Sequence, residues 1–192
     1  MAEINNFGSQ LLIICGLSFS GKSTLGKAIT ERFDYEQVDV DETKINLYGQ
    51  SIKDEDLYPE DWARIYTETD KLIEKLLKSG KSVVDASRNF SKTERNIVKS
   101  IADKAGVPII TVYVDTPEQM ARQRLLENRR NPTRPDVTDK NFEEVIRAME
   151  PPTVDEHPLI FHHFNEIDSW LLENAAIIAP KWTARHVCTS GR

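Results

Sequence analysis

Short apolar runs alternate with amphipathic stretches along the chain, and the two periods predict different elements. Leu11 to Cys15 (LLIIC) is apolar at every position, as a strand buried on both faces of a parallel sheet must be. The residues from Ser23 read as a helix to about Phe33, and Gln37 to Val40 as a second short strand ending in carboxylates. A polar stretch follows, 41–60. Trp62, Ile65, Tyr66, Leu72, Ile73, Leu76 and Leu77 then recur at helical spacing, which predicts an amphipathic helix over about 60–79, closed by Ser79 and Gly80. Lys44, Tyr48, Trp62, Arg64 and Tyr66 mix basic and aromatic side chains suited to a phosphate and a ring. Trp62 and Tyr66 also lie on the apolar stripe of this helix, so core packing is the role expected of both.

A third strand is expected over Ser82 to Asp85. Ser91 with Glu94 forms a capping-box pattern that opens a helix to about Ala105, closed by Gly106 and Pro108. Ile109 to Val114 reads as a fourth strand. Thr116 then serves as N-cap and Pro117 as first residue of a helix rich in arginine, with Asp115 assigned to its capping. Thr138 caps a further helix to Met149. A last strand over 159–164 and a last helix over 169–176 complete the pattern. Strands alternating with helices predict a three-layer α/β fold with a five-stranded, mostly parallel sheet.

One segment changes this from a fold prediction to a functional one. Gly16, Leu17, Ser18, Phe19, Ser20, Gly21, Lys22 and Ser23, followed by Thr24, match the phosphate-binding pattern GxxxxGK(S/T). The run sits between a predicted strand and a predicted helix, the setting its chemistry requires. Glycines let the backbone wrap a phosphate, while successive N–H groups and the helix N-terminus supply positive potential. Lys22 is expected to reach the β- and γ-phosphates and the Ser23 hydroxyl to ligate Mg²⁺, so ATP and Mg²⁺ are the expected cofactors.

Composition narrows the setting. The 192 residues suit one α/β domain over 1–179, with a lid at about 122–140 and a flexible basic tail over 180–192 (Lys181, Arg185, Arg192). A net charge of −6 argues against broad electrostatic capture of nucleic acid, although one nucleic-acid end could still be held locally. No apolar run approaches the roughly 20 residues of a membrane span, and Met1 to Gln10 shows no secretory pattern. Cys15 and Cys188 lie far apart, one inside a predicted strand. No disulfide is expected, and a reducing cytoplasm is the expected compartment.

Ligands of parallel α/β sheets sit beyond the carboxyl ends of the strands. There Asp39 and Asp41 follow the second strand and are expected on one side of it if the strand continues. Asp41 is the candidate general base, because a kinase needs a carboxylate to orient the attacking hydroxyl and take its proton. Asp85 is the candidate Mg²⁺ carboxylate, directly or through water. Arg122 and Arg129 are seven apart on one helix face, beside Arg130, and that helix runs into a loop carrying Arg134, as a closing lid would. His162 and His163 are adjacent on a strand, hence on opposite faces, and make a poor metal pair.

With these residues assembled, the chain resembles the small P-loop kinases related to polynucleotide 5′-kinase, zeta-toxin-type kinases and chloramphenicol phosphotransferase, and their bacterial stand-alone ATP-binding members. The resemblance covers about 11–175 and rests on GLSFSGKST, VDVDETK, VVDASRN and the arginine helix ending in ENRRN; EPPT at 150–153 is similar to a segment that follows the lid. It implies that Asp41 is the base, that Lys44 helps hold a substrate phosphate, and that Arg129 is the nearest match to the catalytic lid arginine. Arg88, in VVDASRN, is a further substrate-binding candidate. The expected activity is transfer of the ATP γ-phosphate to a hydroxyl of a small molecule or a nucleic-acid 5′ end, with no obligate protein partner. The other reading is an ATPase module acting on a protein partner; the chain lacks NKxD and LSGGQ-type signatures.

Overall fold

The structure, a computed structural model, describes residues 8–180. Five strands form one sheet in the order β2-β3-β1-β4-β5, and every pairing is parallel. They are β1 (Leu11–Cys15), β2 (Glu36–Val38), β3 (Val83–Asp85), β4 (Ile109–Asp115) and β5 (Leu159–His162). The helices are α1 (Lys22–Phe33), α2 (Val40–Tyr48), α3 (Pro59–Lys78), α4 (Lys92–Ala105), α5 (Glu118–Arg130), α6 (Asp139–Ala148), α7 (Ile167–Glu173) and α8 (Ala175–Ile178).

The central strand shows why three layers form. Alternate residues of a strand face opposite sides. Leu12 and Ile14 pack with Leu25 and Ile29 of α1, Trp170 and Leu171 of α7 and Ile178 of α8. Leu11 and Ile13 face the other way, against Ile73 and Leu77 of α3 and Val98, Ile101 and Ala102 of α4. A third cluster lies off the sheet. Phe19, from the glycine loop, is buried with Ala121 and Leu125 of α5 and Phe142 of α6.

Several boundaries differ from the sequence expectation. The second strand stops at Val38. Asp39, in extended conformation, caps α2, its carboxylate accepting from the Asp41 N–H at 2.7 Å. An aspartate with a free helix N-terminus to satisfy outweighs the alternation that had extended the strand, so the polar stretch opens as a helix. Helix α5 begins after Pro117, while the Thr116 hydroxyl donates to the Ser20 carbonyl at 2.9 Å. Asp115 makes no cap; its carboxylate pairs with the His162 ring at 3.0 Å, and His163 lies in the turn beyond β5. The Ser91–Glu94 capping box forms as expected.

Segment 150–153 has a structural task. Glu150 accepts from the Lys92 N–H at the start of α4, and its carbonyl accepts from Arg95 at 2.8 Å. Arg95 is buried, holds both carboxylate oxygens of Glu156 and also binds the Asn89 and Phe90 carbonyls. The return from the lid is thereby fastened beside the third strand. No helix among the described residues is long and apolar enough to cross a membrane. The basic tail and Cys188 lie outside the described residues. Cys15 is buried, and burial pushes its thiol up to about 12.

Candidate active site

The glycine loop leaves β1 under tight steric constraint. Gly16 has φ +146°, and a Cβ there would lie 2.7 Å from the Val114 carbonyl oxygen of β4. Gly21, at φ +112°, stands at the N-terminus of α1 with no side chain capping the first turn. The N–H groups of that turn are left for an anion. Two side chains from outside fix the loop. Arg124 of α5 donates to the carbonyls of Phe19 (3.2 Å) and Ser20 (2.8 Å), and Thr116 shares the Ser20 carbonyl.

Residues 18–24 line a cavity of about 110 Å³, closed from other elements by Asp39, Asp41, Ala86, Ser87, Phe90 and Arg134. The Lys22 ammonium is tied back to the start of the loop, donating to the Gly16 and Leu17 carbonyls at 2.9 and 2.8 Å. Lys22 is 8% exposed. Burial, and next the positive charge of Arg134, lower its pKa to about 8. The Ser20 hydroxyl is buried within the loop without a hydrogen-bond partner among the described residues. Uncapped N–H groups, a desolvated ammonium and an unpaired hydroxyl are the donor set of a phosphate site.

Asp39 lines this cavity with Ser23. Burial raises its pKa, and the charges of Asp41 and Asp85 add to the rise, only partly countered by backbone hydrogen bonds. A carboxylate held against its own charge beside a serine hydroxyl fits a divalent cation shared with a nucleotide phosphate, since Mg²⁺ takes few protein ligands and completes its shell with phosphate and water. Asp85 is placed differently. It is 0% exposed and lines neither cavity of the site; its oxygens accept from Ser87, from Arg88 Nε at 3.2 Å and from Asn89 at 3.2 Å. Its lone pairs are engaged in holding the residues after β3.

A second, larger cleft of about 1090 Å³ adjoins the first. Lys44, Trp62, Tyr66 and Arg88 line one wall and residues 134–138 of the lid another. Trp62 and Tyr66 therefore face this cleft instead of the core, Tyr66 being 38% exposed. Lys44 bridges Asp41 (3.1 Å) and Asp54 (2.7 Å). Burial pulls its pKa down, and the bonds to those carboxylates more than offset that, leaving it raised. Arg88 is buried and paired with Asp85 and Asp70. Five residues line both cavities: Ser18, Asp41, Ser87, Phe90 and Arg134. Asp41 is the carboxylate at this junction and Arg134 the cation.

The structure does not bring Arg129 to the site. Its guanidinium binds Asp136 (3.1 Å), Asp139 (2.8 Å) and the Val137 carbonyl (2.9 Å), which fold the lid loop onto α5. Arg122 is likewise held, by Glu118 and Glu143. Arg134, over the Phe19 ring at 4.5 Å, is the lid arginine that reaches the cavity. The sequence carried two signals that the helical spacing of Arg122 and Arg129 overshadowed: Asp39 in the strand-end pair VDVD, and Arg134 in the proline-flanked loop after the helix.

Known proteins share this fold. A family described as AAA domain matches residues 11–152. A shikimate kinase of Clostridium botulinum (strain 657 / Type Ba4) is 30% identical over 117 residues, 60% of this chain and 65% of that protein. The chain thus matches just under two thirds of the length of such curated relatives. Among solved structures, Chaetomium thermophilum Kti12 in complex with ADP-AlF3 superposes with a TM-score of 0.69 at 17% identity, over 88% of this chain and 99% of that one. The Mycobacterium tuberculosis APS kinase CysC, in complex with AMPPNP and APS, gives 0.63 at 18% identity, over 88% and 96%. A parallel sheet of order 2-3-1-4-5, a glycine loop between β1 and α1, and a family match across both place the chain in this AAA domain family, with the fold of a P-loop kinase-like nucleotide-binding domain.

Proposed function

We propose that this protein transfers the γ-phosphate of ATP to a hydroxyl acceptor, with Asp41 as general base. One observation carries the reading: the phosphate-loop cavity and the larger cleft meet at Asp41 and Arg134. A carboxylate and a guanidinium are the groups that phosphoryl transfer to an alcohol needs at that junction. ATP fits the small cavity through residues 16–24. Ser23 and Asp39 would hold Mg²⁺, which supplies charge neutralisation at the phosphate oxygens when bound. Asp85 then acts through its neighbours, positioning Ser87, Arg88 and Asn89.

The balance of the step is simple. Asp41 orients the acceptor hydroxyl and takes its proton as the oxygen bonds to the γ-phosphorus. The bond to the β–γ bridging oxygen breaks, and ADP leaves with its electron pair. Lys22 and Arg134 meet the charge that spreads over the transferred group. Arg129 contributes by holding the lid loop through Asp136 and Asp139, so that Arg134 keeps its place.

The two arginines separate by mutation. Arg134→Ala is expected to lower kcat about 10³-fold or more, as loss of a transition-state arginine does, with ADP affinity changed little. Arg129→Ala is expected to cost much less, since its partners are solvent-facing carboxylates. Steady-state turnover and ADP titration of both variants decide it. The reverse order would return the catalytic role to Arg129.

A further inference from the structure

The larger cleft carries charges whose pairing restricts what can enter it. Its lining cations are Lys44, Lys53, Arg88, Arg134 and Lys140. Lys44 holds Asp41 and Asp54; Arg88 holds Asp70 and Asp85; Lys53 and Lys140 lie 3.6 and 4.0 Å from Glu55 and Glu144. Arg134 alone has no carboxylate partner among the described residues, and it faces the phosphate cavity as well. The two deepest cations are thus each compensated twice. Lys44 is 12% and Arg88 7% exposed at the side chain; the Arg88–Asp85 pair is closed to solvent, whereas Asp41 and Asp54 remain 57% and 43% exposed.

From these pairs we infer that the acceptor is a ring-bearing hydroxyl compound with no carboxylate or phosphate, either uncharged or carrying an amine. The inference rests on the phosphotransferase reading and names the substrate class of that site. With Arg134 assigned to the transferred phosphate, an anionic acceptor would have to displace Asp54 or Asp70 from its cation or stand beside them. Either arrangement sets like charges together. A hydroxyl compound meets no such cost. Trp62 and Tyr66, tilted at 33° with centroids 6.0 Å apart, add aromatic surface for a flat or cyclic body, each with one face already met by a cation of the chain, Lys44 at 5.7 Å and Arg88 at 5.8 Å from the centroids.

Matched probes test this without requiring turnover. The full chain, saturated with ADP and Mg²⁺, is titrated with benzyl alcohol, benzylamine, benzoate and phenyl phosphate while Trp62 fluorescence is followed, with Trp62→Phe as signal control. Benzyl alcohol and benzylamine are expected to bind at least about tenfold more tightly than the two anions. Asp54→Asn, which leaves Lys44 with one carboxylate, is expected to narrow that ratio by up to about fivefold. Benzoate or phenyl phosphate binding as well as the uncharged probe, or no difference among the four, overturns the inference. The two readings fail separately. The expected order, together with no phosphate transfer to any hydroxyl compound, leaves the charge selection standing and removes the kinase reading. The reverse order with transfer intact removes the charge selection alone.

Discussion

Lys22 shows how the loop places a charge where water does not help it. Its folded pKa of about 8 lies below the ordinary 10.5, because burial and then Arg134 disfavour the ammonium. Between those two values the unfolded chain binds more protons than the folded one, so this group makes the unliganded protein more stable as pH rises from 8 to 10.5. A bound phosphate reverses the local balance by favouring the ammonium. Nucleotide binding above pH 8 is therefore expected to take up a proton at Lys22, with ADP affinity falling by up to about tenfold per pH unit. Calorimetric titration at pH 7, 8 and 9 measures it; an affinity flat across that range would contradict the assignment. At this scale the loop was readable residue by residue, because its chemistry is local. The acid pairing was not. That Asp85 is spent on Ser87, Arg88 and Asn89 while Asp39 faces the cavity depends on where two separate strands end.

Elements are tied together at Phe19. It lies in the loop at φ +62°, 7% exposed, packed on α5 and α6 and covered by Arg134. The phosphate loop and the lid thus share one apolar cluster, so their order is coupled through side-chain packing as well as through Arg124. Phe19→Ala leaves a cavity in that cluster and is expected to cost about 3–5 kcal/mol, lowering the urea midpoint and weakening ADP binding together. An unchanged midpoint would mean that the cluster does not bear on stability. Periodicity and end signals found α3, α4 and α6 to within about two residues, because each carries a long apolar stripe or a cap, and α5 as closely although Thr116, its expected cap, binds the Ser20 carbonyl instead. It missed α2, whose apolar positions are few and whose start is set by one aspartate. The helical spacing of Arg122 and Arg129 was real, but their acidic partners sit on α6 and in the lid loop, contacts that sequence spacing does not encode.

Over the whole molecule, sheet order does the placing. With β1 central and β3 and β4 beside it, the ends of β1, β2 and β3 deliver the glycine loop, Asp39, Asp41 and Ser87 to one rim, and the lid after β4 brings Arg134 across. The three-layer arrangement followed from alternating strands and helices, and every strand pairing proved parallel. The cleft was legible only in part: the basic–aromatic mix around Lys44, Trp62 and Tyr66 suited a ligand, but the helical stripe assigned Trp62 and Tyr66 to the core, and the space beside them is left by α2 and the lid. The junction of that cleft with the phosphate cavity is the central claim, and Asp41 is the residue on which it turns. The most direct measurement is transfer of labelled γ-phosphate from ATP–Mg²⁺ to a panel of hydroxyl compounds, wild type against Asp41→Asn, with ADP affinity measured alongside. Labelled acceptor is expected, with turnover lowered about 10²–10⁴-fold in the variant and ADP affinity unchanged. Wild-type turnover in Asp41→Asn, or label released only as inorganic phosphate whatever hydroxyl compound is present, would contradict it.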